Sequence, residues 1–116
     1  MLGVGIDVCS VDRMARALAR TPSLGTRLFT PGELAVERPE RLAARYAAKE
    51  AVAKALGSPW AGGWHDVEVI VGVGGAPSLV VRGGVLAAGQ SLGVANWHVS
   101  LSHDAGIATA VVVLSS

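Results

Sequence analysis

One segment constrains the possible folds more than any other. From Pro39 to Gly57 the chain reads PERLAARYAAKEAVAKALG. Proline suits the first turn of a helix and glycine its end, so the segment predicts a long helix over residues 40–56. The alanines inside it let another backbone or strand approach closely. The same segment groups one acid, Glu50, with Arg45, Lys49 and Lys54. With side chains turning by about 100° per residue, Arg41, Arg45 and Lys49 fall on one stripe. Glu50 and Lys54 form a neighbouring i, i+4 pair.

These charges stand out because the chain has few. Of its 116 residues, 16% are charged and 51% are hydrophobic. The length suits one domain, 1–116, but so small a domain needs polar cover. The apolar excess implies a membrane or other copies of the chain. The longest apolar stretch, residues 107–114, is far too short for a spanning helix, so a homo-oligomer is expected and a membrane is not. The opening MLGVGIDVCSVDR lacks the basic start of a secretory signal, and Asp7 interrupts its apolar run. The single Cys9 excludes an intrachain disulfide and reads as a buried thiol; the cytoplasm is the expected compartment. Nine of the ten Lys and Arg lie in residues 1–60, with six of the nine acids. That asymmetry suggests a local basic surface meeting something acidic, and no nucleic acid.

Along the chain, residues 2–8 (LGVGIDV) read as a strand. Ser10 or Asp12 can cap a helix over Val11–Arg20, which Thr21-Pro22-Ser23 and Gly25 break. Thr30-Pro31-Gly32-Glu33 carries the capping-box spacing of a second helix start. Residues 57–65 read as loop. Residues 66–73 and 78–82 form a hairpin around GGAP, and 84–92 a short helix. Residues 97–102 and 107–114 form a last hairpin around HDAG. The class is α+β, an antiparallel sheet with helices packed on one side.

Arg45, Lys49 and Lys54 suit phosphate oxygens, and Glu50 suits a divalent metal if a second carboxylate joins it. Asp7 is that candidate, because a carboxylate inside the apolar GVGIDV is costly unless paired or metal-bound. The alternative is an Asp capping the next helix, a task for which Ser10 and Asp12 are better placed. In HVSLSHD, His98, Ser100 and Ser102 share one strand face, while Val99, Leu101 and His103 share the other. The two histidines therefore diverge. His103 with Asp104 could do acid–base work at the turn.

Together these pieces resemble the holo-acyl-carrier-protein synthases, the small bacterial phosphopantetheinyl transferases. The residues that carry the resemblance are GVGIDV (3–8), FTPGEL (29–34), RYAAKEAVAKALG (45–57), GGAP (74–77) and HVSLSHD (98–104). The resemblance implies the 4'-phosphopantetheinyl transferase-like fold. It also implies transfer of 4'-phosphopantetheine from coenzyme A to a serine of apo acyl carrier protein, with magnesium, in a homotrimer whose active sites lie between subunits. On the matching positions, Asp7 and Glu50 would hold magnesium and Lys54 the diphosphate. Arg45, His98 and Lys49 would read the 3'-phosphate side, and Gly75, Ala76 and Pro77 would lie against the adenine. Either Glu50, through water, or His103 with Asp104 would take the serine proton. Arg13, Arg16 and Arg20 would dock an acidic carrier, with apolar contact from Met14 and Tyr46. The segment between Glu33 and Arg45 is shorter than in many members.

Overall fold

The computed structural model describes residues 1–36, 38–57 and 62–116. Strand β1 (Gly3–Ser10) leads into helix α1 (Val11–Arg20). Helices α2 (Ser23–Leu28), α3 (Pro31–Leu34) and α4 (Pro39–Leu56) follow. A 3-10 turn (Trp64–Asp66) opens the hairpin β2 (Val67–Val71) and β3 (Pro77–Val81). Helix α5 (Gly83–Ser91) then precedes the hairpin β4 (Asn96–Asp104) and β5 (Ile107–Ser115).

Local chemistry sets most boundaries. The Ser10 side chain accepts from Arg13 N at 3.2 Å and starts α1, so Ser10 and not Asp12 is the cap. Thr30 and Glu33 form the capping box of α3 reciprocally. Gly57 ends α4 at φ 70°, a left-handed conformation that a side chain disfavours.

Three expectations need correction. Helix α2 occupies Ser23–Leu28, where Pro22 and Gly25 read as a break. Pro22 sits at the cap, where its missing N–H costs nothing, and burial of Leu28 and Gly25 outweighs the weak helical preference of glycine. The strands form two sheets instead of one: an antiparallel β1-β5-β4 sheet and a separate β2-β3 ribbon. The ribbon is also shorter than expected. Asp66 closes the 3-10 turn, and Gly72 N bonds Ala76 O at 3.2 Å to form the tip.

Helix α4 is the spine. Its alanines pack on one face of the three-stranded sheet, where Ala47, Ala51 and Val52 meet Ala110, Val112 and Leu114. A Cβ at Gly3 or Gly5 would run into the carbonyls of Ala55 or Ala51, so β1 lies on α4 backbone to backbone. A second cluster joins Met14, Leu28 and Phe29 to Leu42, Ala43 and Ala108. The other face of the sheet is bare: Val4, Ile6 and Val8 are 51%, 62% and 60% exposed. Ile6 pairs with Val111, itself exposed, which extends the apolar surface across β5.

Candidate active site

Alternation along β1 points Gly3, Gly5, Asp7 and Cys9 toward α4 and Val4, Ile6 and Val8 away. Asp7 therefore meets the last turns of α4. Lys54 Nζ lies 3.0 Å from Asp7 Oδ1 and donates to Ile6 O, also at 3.0 Å. The expected Glu50–Lys54 pair is thus replaced by a Lys54–Asp7 pair, because β1 crosses directly over the lysine. Glu50 lies half-buried one turn earlier. Burial first, then the charge and hydrogen bond of Glu50, push the Tyr46 hydroxyl up to about 12, with smaller contributions from Cys9 and Asp7. Asp7, Tyr46, Glu50 and Lys54 thus form one polar group where β1 meets α4. Burial, then Asp7, also raises the Cys9 thiol, with Arg13 opposing.

Asp7 and Glu50 offer the hard oxygen donors that magnesium prefers. Among the described residues no group of three or more His, Cys, Asp or Glu could hold a metal ion. The pair fits a magnesium ion whose other ligands are substrate oxygens and water, not a closed protein cage.

Beside this group opens a cleft of about 480 Å³ lined by Cys9, Arg13, Met14, Leu24, Arg27, Tyr46 and Trp64, among others. It unites three of the residues assigned to carrier docking: Arg13, Met14 and Tyr46. Arg16 and Arg20 lie exposed outside the cleft, Arg16 paired with Asp12 at 3.3 Å. Trp64 stacks on Tyr46 with ring centroids 5.6 Å apart. Sequence reasoning missed Trp64, which it placed in a loop.

Toward the start of α4 a second cavity, about 220 Å³, is lined by Arg41, Ala44, Arg45, Val71, Gly75, Leu101, Ser102 and His103. Arg45 is buried, and its Nε has no hydrogen-bond partner among the described residues. Burial lowers its pKa, with Glu33 opposing. A buried cation with an unmet donor suits a phosphate. Gly75 lines this cavity; Ala76 is exposed at the ribbon tip and Pro77 begins β3.

One assignment fails on geometry, and a second is not brought together with Arg45 within one chain. Lys49 is fully buried and cannot reach a coenzyme. Its ammonium bonds Glu33 Oε1 at 2.8 Å, Trp64 O at 3.0 Å and Val67 O, which uses all three donors. Burial lowers its pKa while Glu33 opposes the shift. His98 lies on the bare face of the sheet, 3.1 Å from Ser115 Oγ, and within one chain faces away from Arg45.

The proton acceptors separate as well. His103 pairs with Ala108, which pairs with Cys9, while Asp7 pairs with Ala110. Two strand spacings and two residues put His103 and Asp7 roughly 12 Å apart. His103 belongs to the arginine cavity, and Asp104 ends β4 exposed.

Residues 3–112 match the 4'-phosphopantetheinyl transferase superfamily. The chain belongs to that superfamily. This transferase is 59% identical over 116 residues to the holo-[acyl-carrier-protein] synthase of Frankia alni, covering 100% of this chain and 98% of that one. It is 58% identical over 118 residues to the synthase of Streptomyces coelicolor, covering 97% and 96%. Its fold resembles the crystal structure of the Helicobacter pylori synthase in complex with coenzyme A, with TM-score 0.85, 27% identity and 97% and 99% coverage. The Neisseria meningitidis synthase gives TM-score 0.88 at 26% identity, covering 100% and 99%. No helix among the described residues of the transferase is long and apolar enough to cross a membrane.

Proposed function

We propose that this chain, as one domain over residues 1–116, transfers 4'-phosphopantetheine from coenzyme A to a serine of an apo acyl carrier protein. The products are holo carrier protein and adenosine 3',5'-bisphosphate, and the reaction serves fatty acid biosynthesis in the cytoplasm. The observation that carries this reading is the convergence of Asp7, Glu50 and Lys54 where β1 crosses α4. The high identity to named synthases supports it.

The serine oxygen attacks the β-phosphorus of coenzyme A, and the bond from that phosphorus to the bridging diphosphate oxygen breaks. Asp7 and Glu50 would hold a magnesium ion, which would supply charge neutralisation on the diphosphate. Lys54 is exposed, so a phosphate oxygen can replace Asp7 as its partner and the lysine then offsets charge on the leaving group. Arg45, with Arg41 and His103, holds the 3'-phosphate, and Gly75 borders the adenine end. Glu50, through a water, takes the serine proton, since His103 lies two strands away, roughly 12 Å from Asp7. Positioning and charge neutralisation carry most of the rate.

The carrier docks on α1 through Arg13, Arg16 and Arg20, with Met14 and Tyr46 in the cleft. The chain works as a homotrimer in which the bare sheet face is covered by a neighbouring copy. His98, on that face, reads coenzyme bound mainly by the neighbour. Mass spectrometry of an apo acyl carrier protein incubated with the chain, coenzyme A and magnesium tests the reading. The expected result is a gain of one phosphopantetheine that EDTA abolishes; no gain with several carriers overturns it.

A further inference from the structure

We infer that Lys49 and Glu33 are positioning residues that set coenzyme affinity by docking the β2–β3 ribbon onto α4. The inference rests on the reading of the arginine cavity as the coenzyme site. The ribbon shares no strand pairing with the main sheet among the described residues. A two-stranded hairpin is marginal by itself and needs an external anchor. Its register supplies the clue. Asp66 O accepts from Arg82 N, so even-numbered positions of this strand face β3, and Val67, Val69 and Val71 present their backbone groups to the opposite edge. On that edge Val67 O accepts from Lys49 Nζ, and Val69 N donates to Glu33 Oε2 at 2.9 Å. The ion pair therefore plays the part of a missing neighbouring strand: the ammonium is the donor and the carboxylate the acceptor. Glu33 Oε1 also accepts from Thr30 N at 3.0 Å, which ties α3 into the same node.

The next step along that edge is Val71, a wall of the cavity that Arg45 and His103 share. The ribbon tip contributes Gly75 to the same cavity. Fixing Val67 and Val69 against α4 fixes the height of that wall over Arg45. An apolar pair could fill the volume, but it would leave the Val67 carbonyl and the Val69 amide without partners.

The test compares the wild-type chain with Glu33→Gln/Lys49→Met, which removes both charges together. Calorimetry with coenzyme A alone is read beside steady-state kinetics. In the variant the coenzyme Kd and KM rise by about tenfold or more, while kcat and the carrier KM move less than about threefold. A purely structural role would lower the melting temperature and leave that KM–kcat split flat. Hydrogen exchange on the unmutated chain gives an independent reading. The Val69 amide is protected without ligand, and residues 71–75 gain protection when coenzyme A binds. A variant that binds coenzyme A like wild type, or residues 71–75 indifferent to saturating coenzyme A, overturns the positioning role alone. A wild-type chain that binds no coenzyme A overturns the coenzyme reading with it.

Discussion

Lys54 donates to the Asp7 carboxylate and to the Ile6 carbonyl at once, so one flexible side chain reports on both the helix and the strand of the site. Lys54→Met should lower kcat by about a hundredfold or more if its charge acts mainly in the transition state. Single-turnover kinetics at saturating coenzyme A checks this; an effect confined to KM would assign Lys54 to ground-state binding. Glu50→Gln keeps the volume and loses the charge. It should abolish magnesium-dependent turnover with the fold intact, and normal turnover would sink its role as ligand and base. That substitution should also lower the Tyr46 pKa, because part of the rise to about 12 comes from Glu50. Tyrosine ionisation followed by ultraviolet absorbance reads the shift directly. The sign for stability follows. A hydroxyl whose folded pKa lies above its unfolded value of 10.0 contributes fully below pH 10 and loses that contribution as pH climbs toward 12.

At the scale of elements, the pH response runs the opposite way. Glu68 on β2 accepts from Thr30 Oγ1 at 2.8 Å and pairs with Arg82 at 2.9 Å. The hydroxyl first, then Arg82, hold its carboxyl below the ordinary value of 4.5. Its contribution is present above pH 4.5 and is lost as pH falls through the lower folded value. Glu68→Gln should flatten the acid limb of a melting-temperature profile, and an unchanged limb would mean that the acid sensitivity lies elsewhere. The close crossing of β1 over α4 is tested by Gly5→Ala. The added methyl meets the Ala51 carbonyl, so the two elements must separate, at a cost of about 1–3 kcal/mol or more in chemical denaturation. The elements themselves were legible to different degrees. Caps and breakers revealed α1, α3 and α4 because those signals are local. Helix α2 was not legible, because Gly25 and Pro22 look like a break until Leu28 has a core to enter. The partition into a sheet and a ribbon was not legible either. Strand pairing joins residues far apart in sequence, and nothing in the hairpin at residues 67–81 says which neighbour it lacks.

For the whole molecule, the bare sheet face matters most. Val4, Ile6 and Val8 with Val111 form an apolar surface that a monomer of this size rarely leaves uncovered. Ile6→Lys should shift sedimentation toward the monomer and reduce turnover with it, since His98 lies on the same face as these residues. A monomer with full activity would show that the site is complete within one chain. The candidate site was legible in sequence where its members share one element, as Arg45, Glu50 and Lys54 do. It was obscure where burial decides a role. Lys49 occupies the same helical stripe as Arg41 and Arg45, and only the third dimension places Glu33, Trp64 and Val67 around its ammonium. Nor does the sequence say that His98 and Arg45 lie on opposite sides of the sheet within one chain.

The alternation of β1 has a genetic consequence. Its odd positions, Gly3, Gly5 and Asp7, face α4 and the candidate site, and its even positions, Val4, Ile6 and Val8, form the outer face. Substitutions in this one strand should therefore sort into two complementation groups by parity. Odd-position lesions would yield assembled but inert particles, and even-position lesions would yield dissociated chains that retain an intact Asp7–Lys54 contact. Mixed oligomers of the two classes could regain activity. A single inserted codon, which exchanges the two faces for the residues that follow it in the strand, would belong to both groups and be rescued by neither.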